Sequence, residues 1–231
     1  MSEKVKTMFA DIADDYDRIN SILSFGVHNA WRKKTVIESG AKPGDKVLDC
    51  ATGTGDLAIE FKKTVGHEGS VLGTDFCKEM IEHAPGKAEE KNLVVDFEVA
   101  DAMNLPYEDN SFDIASIAFG IRNVDDPEAC LKEMARVVKP GGGVVVLEFG
   151  QPGGVIRYPY QLYSRHIMPA IGGWISGNRE AYTYLPETSA KFPAGETFLE
   201  LMDETSAYSA RKAVKLTGGI AYIYVGTVAG N

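Results

Sequence analysis

The chain has 231 residues, 44% of them hydrophobic and 25% charged, enough for one α/β unit with additions and a sizeable core. Its formal net charge of −9 argues against nucleic acid as the main partner, because phosphate backbones are gripped by basic surfaces. Cys50, Cys77 and Cys130 show no metal-ligand spacing and read as free thiols in a reducing, cytoplasmic setting, with no metal site; no run nears the ~20 apolar residues that span a bilayer, and the N-terminus is not that of a signal peptide.

Residues 4–17 place Val5, Met8, Phe9, Ile12, Ala13 and Tyr16 at three- and four-residue spacing, which predicts an amphipathic helix. Gly26 breaks the next stretch, and residues 30–39 are helical again in pattern. These pieces form a helical cap over residues 1–40, either packed on one end of a sheet or lying as a lid over a pocket; as a lid, Tyr16, Asp17 and Trp31 line the site. Strand and helix patterns then alternate, with strands at 46–50, 70–74, 94–99, 113–118 and 143–149 and helices at 55–65, 78–90 and 127–138. Such alternation predicts a mostly parallel sheet with right-handed crossovers. The run Val138–Gly143, with its proline and three glycines, is expected to end a helix before the fifth strand.

From Gln151 to about residue 190 the composition shifts. This insert carries Tyr158, Tyr160, Tyr163, Trp174, Tyr182 and Tyr184 with Arg157, Arg165 and Arg179 in an otherwise acidic protein. It is a candidate contact for an apolar substrate or a membrane surface, or else packs on the cap. A short helix near Glu196–Asp203 and two strand-like runs, 211–216 and 220–228, joined at Thr217-Gly218-Gly219, predict an antiparallel hairpin at the end of the sheet.

The chain is organised around KVLDCATGTGDLA, Lys46–Ala58. A short strand pattern runs into a Gly53-Thr54-Gly55 turn and straight into a helix, which leaves free N–H groups and absent side chains where a ligand can approach backbone. A second apolar run closes on Asp75, twenty residues after Gly55, and a third on Asp101. Acids closing successive strands describe a nucleoside pocket. Gly53–Ala58 also fits a loose dinucleotide fingerprint, so an NAD-linked reductase is a competing reading. Asp49 weighs against it, because a carboxylate just before the loop repels a pyrophosphate and suits a cationic ligand such as a sulfonium, and Asp101-Ala102 stands where an adenine amine can be read. The residues favour S-adenosylmethionine. The candidate cofactor set is Asp49, Ala51, Gly53, Thr54, Gly55, Asp75, Phe76, Met80, Asp101, Ala102 and Ala118.

VLDCATGTGDLA, GTDFCKEM, VADAMNLPYEDNSFD and EMARVVKPGG resemble the successive motifs of class I methyltransferases. MFADIADDYDRINSILSFGVHNAWR, SIAFGIRNVDD, VLEFGQP, YSRHIMPAIGG and LTGGIA resemble the ubiquinone/menaquinone biosynthesis C-methyltransferase family, over roughly Met8 to Gly226. The resemblance implies a single Rossmann-like α/β methyltransferase domain over residues 1–231, with a mostly parallel seven-stranded sheet and a C-terminal antiparallel hairpin. It implies S-adenosylmethionine-dependent methylation of a ring carbon on a prenylated hydroquinone, as in demethylmenaquinol to menaquinol; a different small apolar acceptor and a non-catalytic binding module are the alternatives. A peripheral contact at the inner membrane face and a homo-oligomer are further expectations. Ala118 stands where some members have serine, and Thr52, Ala181 and Thr205–Tyr208 also depart from the family pattern.

A hydroquinone carbon becomes nucleophilic when its neighbouring hydroxyl ionises, and a phenol titrates near ~10. Arg122, just beyond the fourth strand, is the candidate to favour the phenolate, against a structural ion pair with Asp125 or Asp126. His166, in the insert, is the candidate proton acceptor by type, against a plain surface histidine. Tyr16 and Asn123 are hydrogen-bonding candidates for the quinol oxygens.

Overall fold

A computed structural model describes residues 3–176 and 178–230. The N-terminal cap consists of α1 (Glu3–Ile12), a single 3₁₀ turn at Ala13–Asp15, α2 (Tyr16–Leu23) and α3 (Val27–Ser39). The expected continuous helix over 4–17 is thus broken: the 3₁₀ turn tightens the chain so that Tyr16 opens a second helix. Gly26, at φ +73°, enters α3 in the left-handed conformation that glycine adopts without strain.

The central unit follows as β1 (Lys46–Cys50), α4 (Asp56–Val65), β2 (Ser70–Asp75), α5 (Lys78–Ile81), α6 (Ala84–Glu89), β3 (Asp96–Val99), β4 (Phe112–Ala118), α7 (Pro127–Val137) and β5 (Val138–Phe149). The helix expected over 78–90 is two short ones, because Pro85 sits in the first turn of α6 and cannot continue a helix through it. The expected linker at 138–143 is absorbed into β5. Phe112 pairs with Val138 and Ile114 with Gly143, so the Lys139–Gly142 segment bulges out of a ladder that continues on either side. The α7 start follows its sequence closely: Asp126 accepts the Ala129 N–H at 3.0 Å and Pro127 occupies the first turn.

The insert folds as α8 (Arg157–Leu162), a π-helical turn at Tyr163–Ile167, α9 (Met168–Ser176) and α10 (Arg179–Lys191). The side chains of Arg179 and Glu180 lie outside the described residues. The chain ends with α11 (Glu196–Glu204), β6 (Tyr208–Leu216) and β7 (Ala221–Val228). The seven strands are ordered β3-β2-β1-β4-β5-β7-β6, parallel up to β5 and antiparallel from β5 to β7 and β6. The sheet is therefore the Rossmann-like one that the motifs imply.

β1, β4 and β5 are buried on both faces, as central parallel strands are. On one face Leu48, Ile117, Leu131, Met134, Val144, Phe198 and Tyr224 pack together; on the other, Val47, Phe61, Val65, Ile114, Val145, Leu147 and Ile223. A third cluster joins Ile12, Ile19 and Leu23 of the cap to Met168, Ala181 and Tyr182 of the insert. The Tyr163 hydroxyl donates to the Leu23 carbonyl at 2.5 Å across the same seam. Cap and insert are thus packed on each other, above the carboxyl ends of the strands, where open α/β sheets bind ligands.

Candidate active site

The glycine loop folds back against the ends of β1 and β2. Gly53 and Gly55 hold φ of +57° and +83°, and the Gly53 N–H donates to Asp75 Oδ2 at 2.9 Å. The Cys77 N–H donates to the other Asp75 oxygen at 2.8 Å. Burial pushes the Asp75 carboxyl up, and those N–H groups oppose it. At the end of β1, Asp49 is buried and accepts from Ser116 Oγ at 2.6 Å and Thr52 Oγ1 at 2.7 Å. Burial raises its pKa to about 6 despite these bonds. Thr52, a departure from the family pattern, is therefore a prop for Asp49. Ala51 and Phe119 both hold positive φ without being glycine, backbone strain of the kind that gathers at functional sites.

Two small adjoining spaces lie here. One, about 70 Å³, is lined by Ala51, Gly53, Asp75, Phe76, Met80, Asp101, Ala102, Ala118 and Asn123; the other, about 30 Å³, by Asp49, Thr52, Thr54, Asp56 and Arg32. All the candidate cofactor residues except Gly55 face one or the other; Gly55 instead caps α4. The residues fit S-adenosylmethionine by their chemistry: acids sit beyond three successive strands, and the walls are packed to glycine dimensions. A Cβ on Gly53 would come within 3.3 Å of Met80 Cε, and one on Gly120 within 2.5 Å of Ala51 Cβ.

A larger cavity of about 340 Å³ opens on the far side of Tyr16 and Phe119, the two residues that line all three spaces. Its wall is mostly apolar and aromatic, with Phe9, Trp31, Phe149, Tyr160, Tyr163 and Tyr184, and its polar groups include Asn20, His28 and Arg122. Burial raises the Tyr16 phenol above its ordinary pKa even with Arg32 and Arg122 nearby, so it is a hydrogen-bond donor at neutral pH. The Tyr160 phenol is raised to about 12 by burial.

The cap does more than pack. Thr54 Oγ1 donates to Asp17 Oδ1 at 2.6 Å, and Lys87 Nζ lies 2.5 Å from Asp17 and 2.6 Å from Asp56. Arg32 completes the chain of charges with Asp56 at 2.8 Å. Tyr16 and Trp31 face the cavity as a lid would have them, whereas Asp17 lines none of the three spaces and is tied to the loop instead.

Two expectations change at the catalytic end. Arg122 forms its ion pair with Glu148 Oε1 at 2.8 Å, across the end of β5, in place of the pair considered with Asp125 or Asp126. His166 is exposed on the π-helical turn and does not line the cavity; the histidine in the wall is His28, buried, with its pKa lowered to about 4 chiefly by burial and then by Arg32. Asn123 faces the cofactor space, where its Oδ1 accepts from the Tyr184 hydroxyl at 3.1 Å. Glu148, Lys87 and Arg32 were not singled out from sequence. Glu148 alone carried a signal: an acid closing the run Val144–Leu147 is costly to bury without a cation.

The sequence model of the ubiE/COQ5 methyltransferase family matches residues 1–228. The ubiquinone/menaquinone biosynthesis C-methyltransferase UbiE of Bdellovibrio bacteriovorus is 60% identical over 227 residues, covering 98% of this chain and 96% of that protein. The demethylmenaquinone methyltransferase of Deinococcus radiodurans is 44% identical, covering 97% and 92%. Among solved structures, a SAM-dependent methyltransferase of Thermotoga maritima superposes with a TM-score of 0.68 at 21% identity over 96% of this chain and 98% of its own. The [4+2]-cyclase SpnF does so with a TM-score of 0.70 at 17% identity, covering 100% and 97%. The sheet architecture is thus shared with a protein named for a different reaction, and chemistry has to be argued from the site.

Proposed function

This chain belongs to the ubiE/COQ5 methyltransferase family, and from that premise we propose that it is an S-adenosylmethionine-dependent C-methyltransferase acting on a ring carbon of a prenylated hydroquinone, of the demethylmenaquinol-to-menaquinol type. The observation that carries this reading is that the crevice lined by Asp75 and Asp101 adjoins, across Tyr16 and Phe119, an aromatic cavity whose wall holds two guanidiniums, Arg32, paired with Asp56, and Arg122, beside Phe149.

Bound S-adenosylmethionine supplies an electrophilic methyl group. The chain's residues then have three tasks. Asp75 would hold the ribose and Asp101 the adenine end, and Asp49 would offer negative charge toward the cationic end. The aromatic walls exclude water and hold the flat acceptor, and such alignment can account for several kcal/mol of barrier lowering. Arg122 favours the phenolate form of the acceptor: each unit by which the phenol pKa falls corresponds to ~1.4 kcal/mol of preferential stabilisation. Tyr16 keeps its proton and donates to a quinol oxygen. His28, neutral at pH 7, stands in the cavity wall where His166 does not.

A prenylated acceptor resides in the bilayer, and the insert offers a surface to meet it. Val155, Tyr158, Leu162 and Trp174 are 90%, 76%, 61% and 86% exposed, alongside exposed Arg157 and Arg165. Together they support a peripheral contact at the cytoplasmic face of the membrane. No helix of the described residues is long and apolar enough to cross one.

The deciding experiment is calorimetric titration with S-adenosylhomocysteine on wild type and Asp75→Ala, followed by transfer of labelled methyl to a short-chain demethylmenaquinol. Micromolar binding lost in the variant, with label in the quinol ring, is the expected result. Absence of binding to wild type would sink the proposal.

A further inference from the structure

Glu148 stands at the carboxyl end of β5 and is fully buried. Its Oε1 accepts from Arg122 Nη1 and from the Phe149 N–H, each at 2.8 Å, while Oε2 has no hydrogen-bond partner among the described residues. Arg122 Nη1 also donates to the Phe119 carbonyl at 2.6 Å, the Phe149 ring lies 5.4 Å from the guanidinium carbon, and Nε has no hydrogen-bond partner among the described residues. Arg122 lines the cavity and Glu148 does not. A buried ion pair with polar atoms left unsatisfied on both partners is a poor device for stability, since its desolvation is not fully offset. What it does achieve is a guanidinium fixed at three points and held at the wall of the acceptor cavity.

We infer that Glu148 is a positioning residue of the methyl transfer, which through its ion pair both aims Arg122 and moderates the positive charge that Arg122 presents to the acceptor hydroxyl. The inference rests on the quinol reading above. Burial pushes the Glu148 carboxyl up and the Arg122 guanidinium opposes that rise; while Glu148 is ionised the pair is neutral overall, so the phenolate gains less than a lone guanidinium would give it. A phenolate stabilised too far is a weaker carbon nucleophile, and a moderated charge keeps both ionisation and attack within reach near neutral pH. The titratable groups facing the pair are Tyr16, Tyr160 and Tyr184 around Arg122 and Tyr224 beside Glu148; burial raises every one of these phenols, so none changes charge there. Arg32 lines the same cavity and is paired with Asp56 at 2.8 Å, and both Arg32 and Asp17 act on Tyr16.

The test uses 1-naphthol as a probe of the acceptor cavity, with saturating S-adenosylhomocysteine, and reads ionisation of the bound naphthol by its absorbance. Glu148→Gln keeps an oxygen to accept from Arg122 but removes the charge. It should lower the bound probe's pKa by about one unit and move the acid limb of the kcat–pH profile with a short-chain naphthoquinol by the same amount. A purely structural role would lower kcat at every pH and leave both pKa values in place; an unmoved or raised pKa overturns the inference. Affinity for S-adenosylhomocysteine, whose crevice Glu148 does not line, reports that the variant is folded. If Glu148→Gln does not fold, Glu148→Asp, which draws the carboxylate back from Nη1, must shift the probe in the same direction by less, and no shift again overturns it. A wild type that binds S-adenosylhomocysteine but neither takes up naphthol nor methylates a naphthoquinol overturns the quinol reading and this inference with it, whereas turnover with an unmoved pKa overturns the inference alone.

Discussion

The hydroxyl of Thr54, in the glycine loop, donates to the carboxylate of Asp17, in the cap, at 2.6 Å, and Lys87 Nζ reaches both, at 2.5 Å from Asp17 and 2.9 Å from Thr54. Three segments far apart in sequence thereby close over the cofactor crevice. Asp17→Ala should weaken S-adenosylhomocysteine binding about tenfold, or ~1.4 kcal/mol, mostly by faster release. Added salt should weaken the wild type more than the variant, because Asp17 is partly exposed and its attraction to Lys87 is screened. Stopped-flow release at two ionic strengths checks both expectations; equal rates in the two proteins would show that the latch does not gate the cofactor.

Asp49 gives a pH-dependent prediction with opposite signs for stability and binding. Its folded pKa, about 6, lies above the ordinary 3.8, so its stabilising contribution is fully present below pH 3.8 and is lost as pH rises through 6. Ionised at pH 7, it costs the empty protein stability. Asp49→Asn should therefore raise the unfolding free energy at pH 7 by about 1–3 kcal/mol, a gain that shrinks between pH 6 and pH 4. The same substitution should weaken binding of cationic S-adenosylmethionine, and wild-type affinity should itself fall below about pH 6 as Asp49 takes up its proton. Urea unfolding and calorimetry across pH 4–7 measure the two effects.

Gly120 leaves no room for a side chain, since a Cβ there would lie 2.5 Å from Ala51 Cβ. Gly120→Ala must displace Ala51, which already sits at a positive φ of 48° in the crevice wall. The expected cost is about 1–3 kcal/mol of stability, with a larger proportional loss of S-adenosylhomocysteine affinity than of the naphthol affinity measured in the neighbouring cavity. Losses of equal size would mean that the strain spreads beyond the crevice.

The exposed aromatic surface of the insert predicts membrane association that depends on both apolar contact and charge. The double substitution Tyr158→Ser, Trp174→Ser should abolish cosedimentation with vesicles containing anionic lipid, while turnover of a detergent-dispersed short-chain quinol stays near wild type. Cosedimentation that persists would move the contact elsewhere on the molecule.

Much of the fold was legible because the central strands are buried on both faces and read as short apolar runs closed by acids: β1 spans 46–50 as its pattern indicates, and Asp49, Asp75 and Asp101 gather where their strands end. Pro85 was a visible warning against one helix over 78–90. The 3₁₀ turn at 13–15 was not legible, since apolar spacing continues straight through it and the packing at the break is tertiary, Ile12 on the insert and Ala13 on Cys77 and Met80. Glu148 had a local signal but no visible partner, because Arg122 lies 26 residues away and is brought near only by pairing of β4 with β5. His166 was attractive by residue type, and type says nothing of the direction a helical side chain takes.

The two outermost strands of the sheet carry opposite guards. β3 is only four residues long and bears Asp96 and Glu98, while β6 bears Arg211, Lys212 and Lys215. Each presents unpaired backbone groups to its surroundings, and each is short or charged enough that another strand gains little by adding to it. The exposed aromatic residues of the insert are thus matched by sheet margins that resist templating aggregates. Neutralising the β6 bases should cost solubility long before it costs catalysis.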